Sequence, residues 1–458
     1  MQTLAEFPTD GAGLQGGISP GLIPYTGKFW FDAENVWFRD GGPQAMKGSE
    51  LLTEFPDGEG DLGALVAIAQ GYAEQNARVF VASATTVHYF TRNHRYTIES
   101  LESPSDFWSL VPFGSWLMYT NQIDHPRIWR NGAKADLPIP GDKCRLLAKL
   151  GPHIIALGID KDIFRIAWCS ADNPDDWNIL SPTNTAGDLN LRDLGSGIVA
   201  CAPCAGGLAI YTSDKMGLLS YLGSPFIFGF ETRINGIGAV GPNAVVSVGG
   251  NNFGLSRAGV WSTDSVQFKY VDVPDIQKYL QENINWAAAD RCCWFHDEAN
   301  GQVVLSYPAL GSVANNRAVG FCYVNQAWTR YSFGFSAGDE RDVFGAALYA
   351  SARELRKWGT ATESDTDAWV QTKPLDFGSD DAEKRVMDLR FGWKGAATIH
   401  LGAQENLDVP IEWYESAPLA SHVPVNDRET IYWSLKILGR RWAVTAIKIR
   451  GEPVGYTV

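Results

Sequence analysis

The sequence predicts an all-β chain built as a β-propeller of six or seven blades, with a small C-terminal β-domain and an extended N-terminal arm. Three observations carry this prediction. Aromatics are abundant (Trp 17, Tyr 16, Phe 22), and Gly 47 with Pro 23 interrupts the chain at short intervals. Aromatic and β-branched residues between frequent glycine breaks favour strands over helices. The third is a soft repeat, in which a Gly-rich turn precedes four or five alternating apolar residues, another turn and a second short strand.

The repeat is seen in ARVFVASATTVHYFTR (77–92), GSWLMYTNQIDHPRIWRNG (114–132), GPHIIALGIDKDIFRIAWCS (151–170) and GGLAIYTSDKMGLLSYLG (206–223). It continues in GNNFGLSRAGVWSTDS (250–265), the stretch 301–333 and RDVFGAALYASARELRKWG (341–359). With Arg78, Ser115, Pro152, Gly207, Asn251, Gln302 and Val343 as equivalent starts, the spacings are 37, 37, 55, 44, 51 and 41 residues. A period of about 40–50 residues with several strands per unit is what a propeller requires. A large β-sandwich or two stacked sheets is the competing architecture.

Each remaining segment has its own reading. Residues 1–64 form an arm whose first strands pair onto the body, and residues 65–362 form the propeller. Within the arm, FWFDAENVWF places Phe29, Trp30, Phe31, Trp37 and Phe38 within ten positions. VPDIQKYLQENINW (273–286) spaces Ile276, Tyr279, Leu280 and Ile284 on one helical face, with Asp275 as the cap. It reads as a short helix packed between blades. TATESDTDAW is a polar linker, and residues 363–458 make a separate, sandwich-like C-terminal domain.

Charge narrows the function. The net charge is −14, whereas tight nucleic-acid binding needs clustered Lys and Arg. Residues 1–64 carry −7 and residues 428–458 carry +4, a polarity suited to head-to-tail assembly as well as to solvated faces. The sequence has no signal-peptide pattern and no run of about 18 apolar residues, so no integral membrane segment is expected.

The search for chemistry yields no catalytic, cofactor-binding or metal-ligating residue. Cys201 and Cys204 have CxxC spacing, but zinc would need further ligands, and adjacent Cys292 and Cys293 chelate poorly as a pair. The seven His (His88, His94, His125, His153, His296, His400, His422) show no paired spacing. SADNPDDW (170–177) places Ser170, Asp172 and Trp177 as in the Asp-box turn of sialidase-like propellers. That is the only support for the alternative of a glycan-binding protein or glycoside hydrolase. Pro174 stands where that box prefers Gly, and Asp175 and Asp176 are adjacent, so on a strand they face opposite ways.

Several stretches together resemble the β-propeller tail nozzle (tail hub, or packaged-DNA-stabilisation) proteins of short-tailed bacteriophages. They are AENVWFRDGGPQAMKGSELL (33–52), WCSADNPDDWN (168–178), GPNAVVSVGGNNFGLSRAGVWSTDS (241–265) with the helix after it, and TKPLDFGSDDAEKRV (372–386). The resemblance implies a structural virion protein without enzymatic activity, located in the tail and assembled in the host cytoplasm. It implies a homohexamer below the portal and adaptor (head-completion) protein, contacting tail fibre or needle proteins. Its channel would retain packaged genomic DNA and pass it on ejection, without sequence-specific binding.

Overall fold

The computed structural model describes residues 2–7, 30–39, 42–52, 64–73, 76–91, 94–130, 132–271, 274–341, 343, 346–379, 382–426 and 428–456. Phe29 and the acids Asp10, Asp40, Glu54, Asp57, Glu59 and Asp61 of the acidic opening lie outside these residues. So does the side chain of the expected helix cap, Asp275.

The chain is almost all β. Six separate four-stranded antiparallel sheets stand as the blades of a propeller, beside a curled 14-stranded sheet. The first five blades run in sequence order, with inner strands Leu65–Ala73, Ser109–Phe113, Cys144–Leu150, Ala200–Cys204 and Val245–Val248. The last blade has inner strand Ala337–Asp339. Between the fifth and last blades stands the end of the curled sheet, Cys293–Asp297 followed by Gln302–Tyr307, Arg317–Cys322 and Ala327–Tyr331. Each inner strand lies against the next, and Ala337–Asp339 returns to Leu65–Ala73, so seven four-stranded units ring the axis. The repeat starts read from the sequence fall at, inside or just ahead of the second strand of each unit.

The last unit is closed by the other end of the chain. Its fourth strand is Glu50–Leu51, paired with Arg356 and Lys357. Gly48 makes this possible, because a Cβ there would lie 2.4 Å from the Asp365 carboxylate and 2.6 Å from the Glu363 carbonyl. Ser49 N–H donates to that carboxylate at 3.0 Å.

The aromatic opening welds the propeller to the C-terminal strands. Trp30–Glu34 pairs antiparallel with Ala368–Thr372 on one side and meets Ala327–Tyr331 in parallel on the other. Trp30 is fully buried in a core shared with Phe321, Trp328, Val370 and Ile437. Trp37 packs with Phe295, Tyr331, Phe335 and Trp358, which come from the sixth and seventh units. Burying such side chains stabilises the joint by about 25 cal/mol per Å² of apolar surface.

The C-terminal strands form the curled sheet, and Trp30–Glu34 makes that sheet continuous with the sixth unit. Two of its strands are unusually long. Ala382–Gln404 (23 residues) and Tyr432–Tyr456 (25 residues) pair along their length, a span of about 75 Å at 3.3 Å per residue. Bulges, the first between Glu383 and Lys384 and the last between Ala396 and Thr398, bend the pair, because an extra residue raises local twist. The expected boundary near 363 falls just before the strand Ala368–Thr372.

The predicted helix is Pro274–Asn283. Ile276, Leu280 and Ile284 are buried as the spacing requires. Gln277 and Gln281 donate to the Ala258 and Arg257 carbonyls of the fifth blade, and the Tyr279 hydroxyl meets that of Tyr307 in the sixth unit. It therefore bridges neighbouring units.

Candidate functional site

The inner strands are rich in small residues because they converge on the axis, where space tapers. Ala67, Ala202, Pro203, Ala337 and Gly338 leave an axial cavity of about 440 Å³. A sphere of that volume is only about 9 Å across, less than the roughly 12 Å width of a DNA major groove alone.

Polar groups gather at one side of this cavity. Asp339 is buried and accepts from Arg341 Nη2 at 2.7 Å and from Gln70 N–H of the first blade at 2.7 Å. Gln70 Nε2 returns a bond to the Asp339 carbonyl at 3.2 Å. His296 of the sixth unit lies between Glu340, through Nδ1, and the Tyr323 hydroxyl, 3.1 Å from Nε2. Burial raises the Tyr323 phenol above its usual range. Chemically, a histidine flanked in this way has both ring nitrogens engaged, so the arrangement stitches the sixth unit to the neighbouring seventh, as Asp339 and Gln70 stitch the seventh to the first.

The CxxC pair precedes the strand Gly207–Tyr211 and pairs with it. It is itself part of the inner strand Ala200–Cys204 of the fourth blade. Residues three apart on a strand face opposite ways, so Cys201 and Cys204 do not converge. Burial pushes the thiols of Cys201, Cys144 and Cys293 up to about 12, the reverse of what a reactive cysteine needs. Cys292 and Cys293 are both buried, and Cys293 Sγ–H donates to the Phe335 carbonyl. Among the described residues, His, Cys, Asp and Glu nowhere gather in threes able to hold a metal.

The SADNPDDW stretch connects the third strand of the third blade, Asp162–Trp168, to the fourth, Gly187–Asn190. Ser170 and Asn173 bridge across the turn, and exposed Asp172 has a left-handed φ of 54°. Trp177 is buried beneath it, with Nε1–H donating to the Pro174 carbonyl at 2.8 Å. Asp175 pairs with Arg130 at 2.7 Å, and Asp176 accepts from Asn184 at 2.8 Å. None of these acids lines the axial cavity.

Asn35, within the aromatic stretch of the arm, joins several elements. It is buried with φ 58°, and its Nδ2 lies 2.9 Å from Ser332 Oγ, 2.8 Å from Thr366 Oγ1 and 3.1 Å from the Asp367 carbonyl. Its Oδ1 accepts from Ser332 N–H at 3.0 Å. One amide thus ties the arm, the sixth unit and the polar linker. Only an αL-tolerant residue within an aromatic stretch hinted at this.

No known family's sequence model matches the chain, and no curated protein matches it. Solved structures similar to it include PorZ, an essential bacterial surface component of the type-IX secretion system of Porphyromonas gingivalis. That match has 10% identity and a TM-score of 0.42, covering 71% of this chain and 43% of PorZ. Another is the computationally designed Ika8 protein, at 9% identity and a TM-score of 0.39, covering 66% of this chain and 98% of that one. The chain thus matches less than half the length of PorZ.

Proposed function

We propose that this chain is a structural subunit of the tail nozzle of a short-tailed bacteriophage, assembled as a ring below the portal and adaptor. The observation that supports this reading most is where the resembling stretches sit. AENVWFRDGGPQAMKGSELL supplies Asn35, Trp37, Gly48 and Glu50–Leu51, the residues that close the propeller and weld it to the curled sheet. TKPLDFGSDDAEKRV leads into the 23-residue strand. The subunit's role is mechanical, and it catalyses no reaction.

The axial cavity is too small for duplex DNA, so the DNA path runs between copies. A wall that lets a polyanion slide should not grip it, and a chain of net charge −14 meets that condition. Six copies is the number the resemblance implies, with adaptor and fibre or needle proteins at the two ends. The charge contrast between the chain ends contributes little to joining neighbours. Arg440 is already paired with Asp367 at 3.1 Å, and Arg428 with Glu412, and exposed pairs contribute about 0–1 kcal/mol each.

Negative-stain imaging of the purified protein, alone and with an adaptor ring, tests the proposal. The expected result is a closed ring with a central pore, seen at low and at high salt. A monomer under all these conditions, or tight DNA binding with a steep salt dependence, refutes it.

A further inference from the structure

The fourth blade carries the most exposed aromatic element among the described residues, the end of the hairpin formed by Lys215–Gly223 and Ile227–Asn235. The second strand of that blade pairs only with Met216 to Leu219. Beyond it, Tyr221 and Gly223 pair with Phe228 and Ile227 alone. The hairpin thus runs past its sheet by residues 221–223, about 10 Å at 3.3 Å per residue. Tyr221, Leu222 and Phe226 there are 65%, 62% and 73% exposed.

This end is firmly held. Phe228 packs edge-on with Tyr221 and with Trp168 and His153 of the third blade. The same two side chains anchor the neighbouring loop of the third blade. Trp168 Nε1 donates to the Thr185 carbonyl at 2.9 Å, and His153 Nε2 lies 3.2 Å from Thr185 Oγ1. That loop carries Leu180, which is 87% exposed. Residues 216–230 and 177–187 contain no Asp, Glu, Lys or Arg, and charge resumes at the base of the hairpin with Lys215, Glu231 and Arg233.

Size, reach and charge together select the partner. Two aromatics and two leucines at these exposures present about 400–500 Å² of apolar surface, whereas a specific protein contact covers about 800 Å² per partner. A lipid bilayer demands no matching shape. Its interfacial zone takes up apolar and Tyr side chains to a depth of about 5–10 Å, the reach of residues 221–223. A chain of net charge −14 is repelled by anionic headgroups, so an uncharged rim suits a zwitterionic surface.

We propose that the rim formed by Leu180, Tyr221, Leu222 and Phe226 inserts into the interfacial zone of a zwitterionic bilayer, with the rest of the chain outside it. The inference goes beyond the ring reading and does not depend on it. A ring would present the rim once per copy and strengthen binding through multivalency.

Flotation of the full chain with phosphatidylcholine vesicles tests this. The protein should float equally at low and high salt, and less as anionic lipid is added. Replacing Tyr221, Leu222 and Phe226 together by Ser should weaken partition about tenfold or more, and Leu180→Ser severalfold. All four positions are exposed, so thermal unfolding should match the unsubstituted protein; should the triple variant unfold early, Leu180→Ser decides. Leu310→Ser with Val324→Ser, exposed on the sixth unit, should float like the unsubstituted protein.

A protein that never floats overturns the inference, as does flotation that needs anionic lipid and vanishes in salt. Equal loss in the sixth-unit control also overturns it. So does a triple variant that floats normally but no longer self-associates in sedimentation velocity, since the rim is then a contact between copies. A monomer that still floats keeps this inference and refutes the ring reading.

Discussion

The third blade and the long strand pair of the curled sheet are built by opposite rules. In the third blade, Cys144–Leu150, His153–Ile159, Asp162–Trp168 and Gly187–Asn190 each pair with the strand next in sequence. Gly151 at φ 58° and Asp160 at φ 54° make its tight turns. In the curled sheet, Tyr432–Tyr456 takes partners from Gln2–Phe7, Ala368–Thr372 and Ala382–Gln404. A blade needs only short loops to close. The curled sheet must bring the two ends of a 458-residue chain together, and the loop entropy of doing so has to be offset by dense burial. That contrast explains why aromatics and Asn35 are concentrated in residues 30–38.

The comparison breaks most severely at Trp30. Replacing this fully buried side chain by Ala should cost about 3–5 kcal/mol. Urea unfolding should show an early transition, and limited proteolysis should cut near residues 360–367 before any blade is attacked. A loss below about 1 kcal/mol, or simultaneous loss of blades and curled sheet, would mean the clasp is not the joint described.

Asn35 offers a finer test. Asn35→Ala removes bonds to Ser332, Thr366 and Asp367 and puts at φ 58° a residue that tolerates the left-handed region less well than asparagine, for an expected loss of about 2–4 kcal/mol. Asn35→Gly loses the same bonds but tolerates the angle, so it should be about 1 kcal/mol less damaging. Equal losses would show that the backbone angle contributes nothing.

The blades can be probed separately through pH. His88 of the first blade is buried between the Thr86 and Thr97 hydroxyls. Burial first, and Arg95 second, lower its pKa to about 4. Above about 6.5 the ring is neutral in both folded and unfolded chains. Between 6.5 and 4 the unfolded chain takes up a proton that the folded chain refuses, so stability falls as pH drops through that window. The loss is on the order of 3 kcal/mol at most and is constant below 4. Chemical denaturation of His88→Gln across this range should give a flatter profile. An unchanged slope would assign the dependence to other groups, His153 among them, whose pKa burial also lowers.

What the sequence by itself determined is the local architecture. Its turns and alternating apolar runs marked a propeller of six or seven blades, and the spacing of Ile276, Leu280 and Ile284 marked the helix face. These features are set by neighbours a few residues apart, through backbone turns and side-chain period. Three things required the tertiary structure. CAPC shows only its cysteine spacing in the sequence, yet pairing with Gly207–Tyr211 makes it part of an inner strand, because a strand is defined by its partners as much as by its residues. The continuity of the C-terminal sheet with the sixth unit hangs on Glu34 meeting Arg330, almost 300 residues away, and no periodicity records such a pairing. The partners of Asn35 on Ser332, Thr366 and Asp367 likewise emerge only when distant segments pack, since burial and hydrogen-bond satisfaction are properties of the assembled core rather than of any window of sequence.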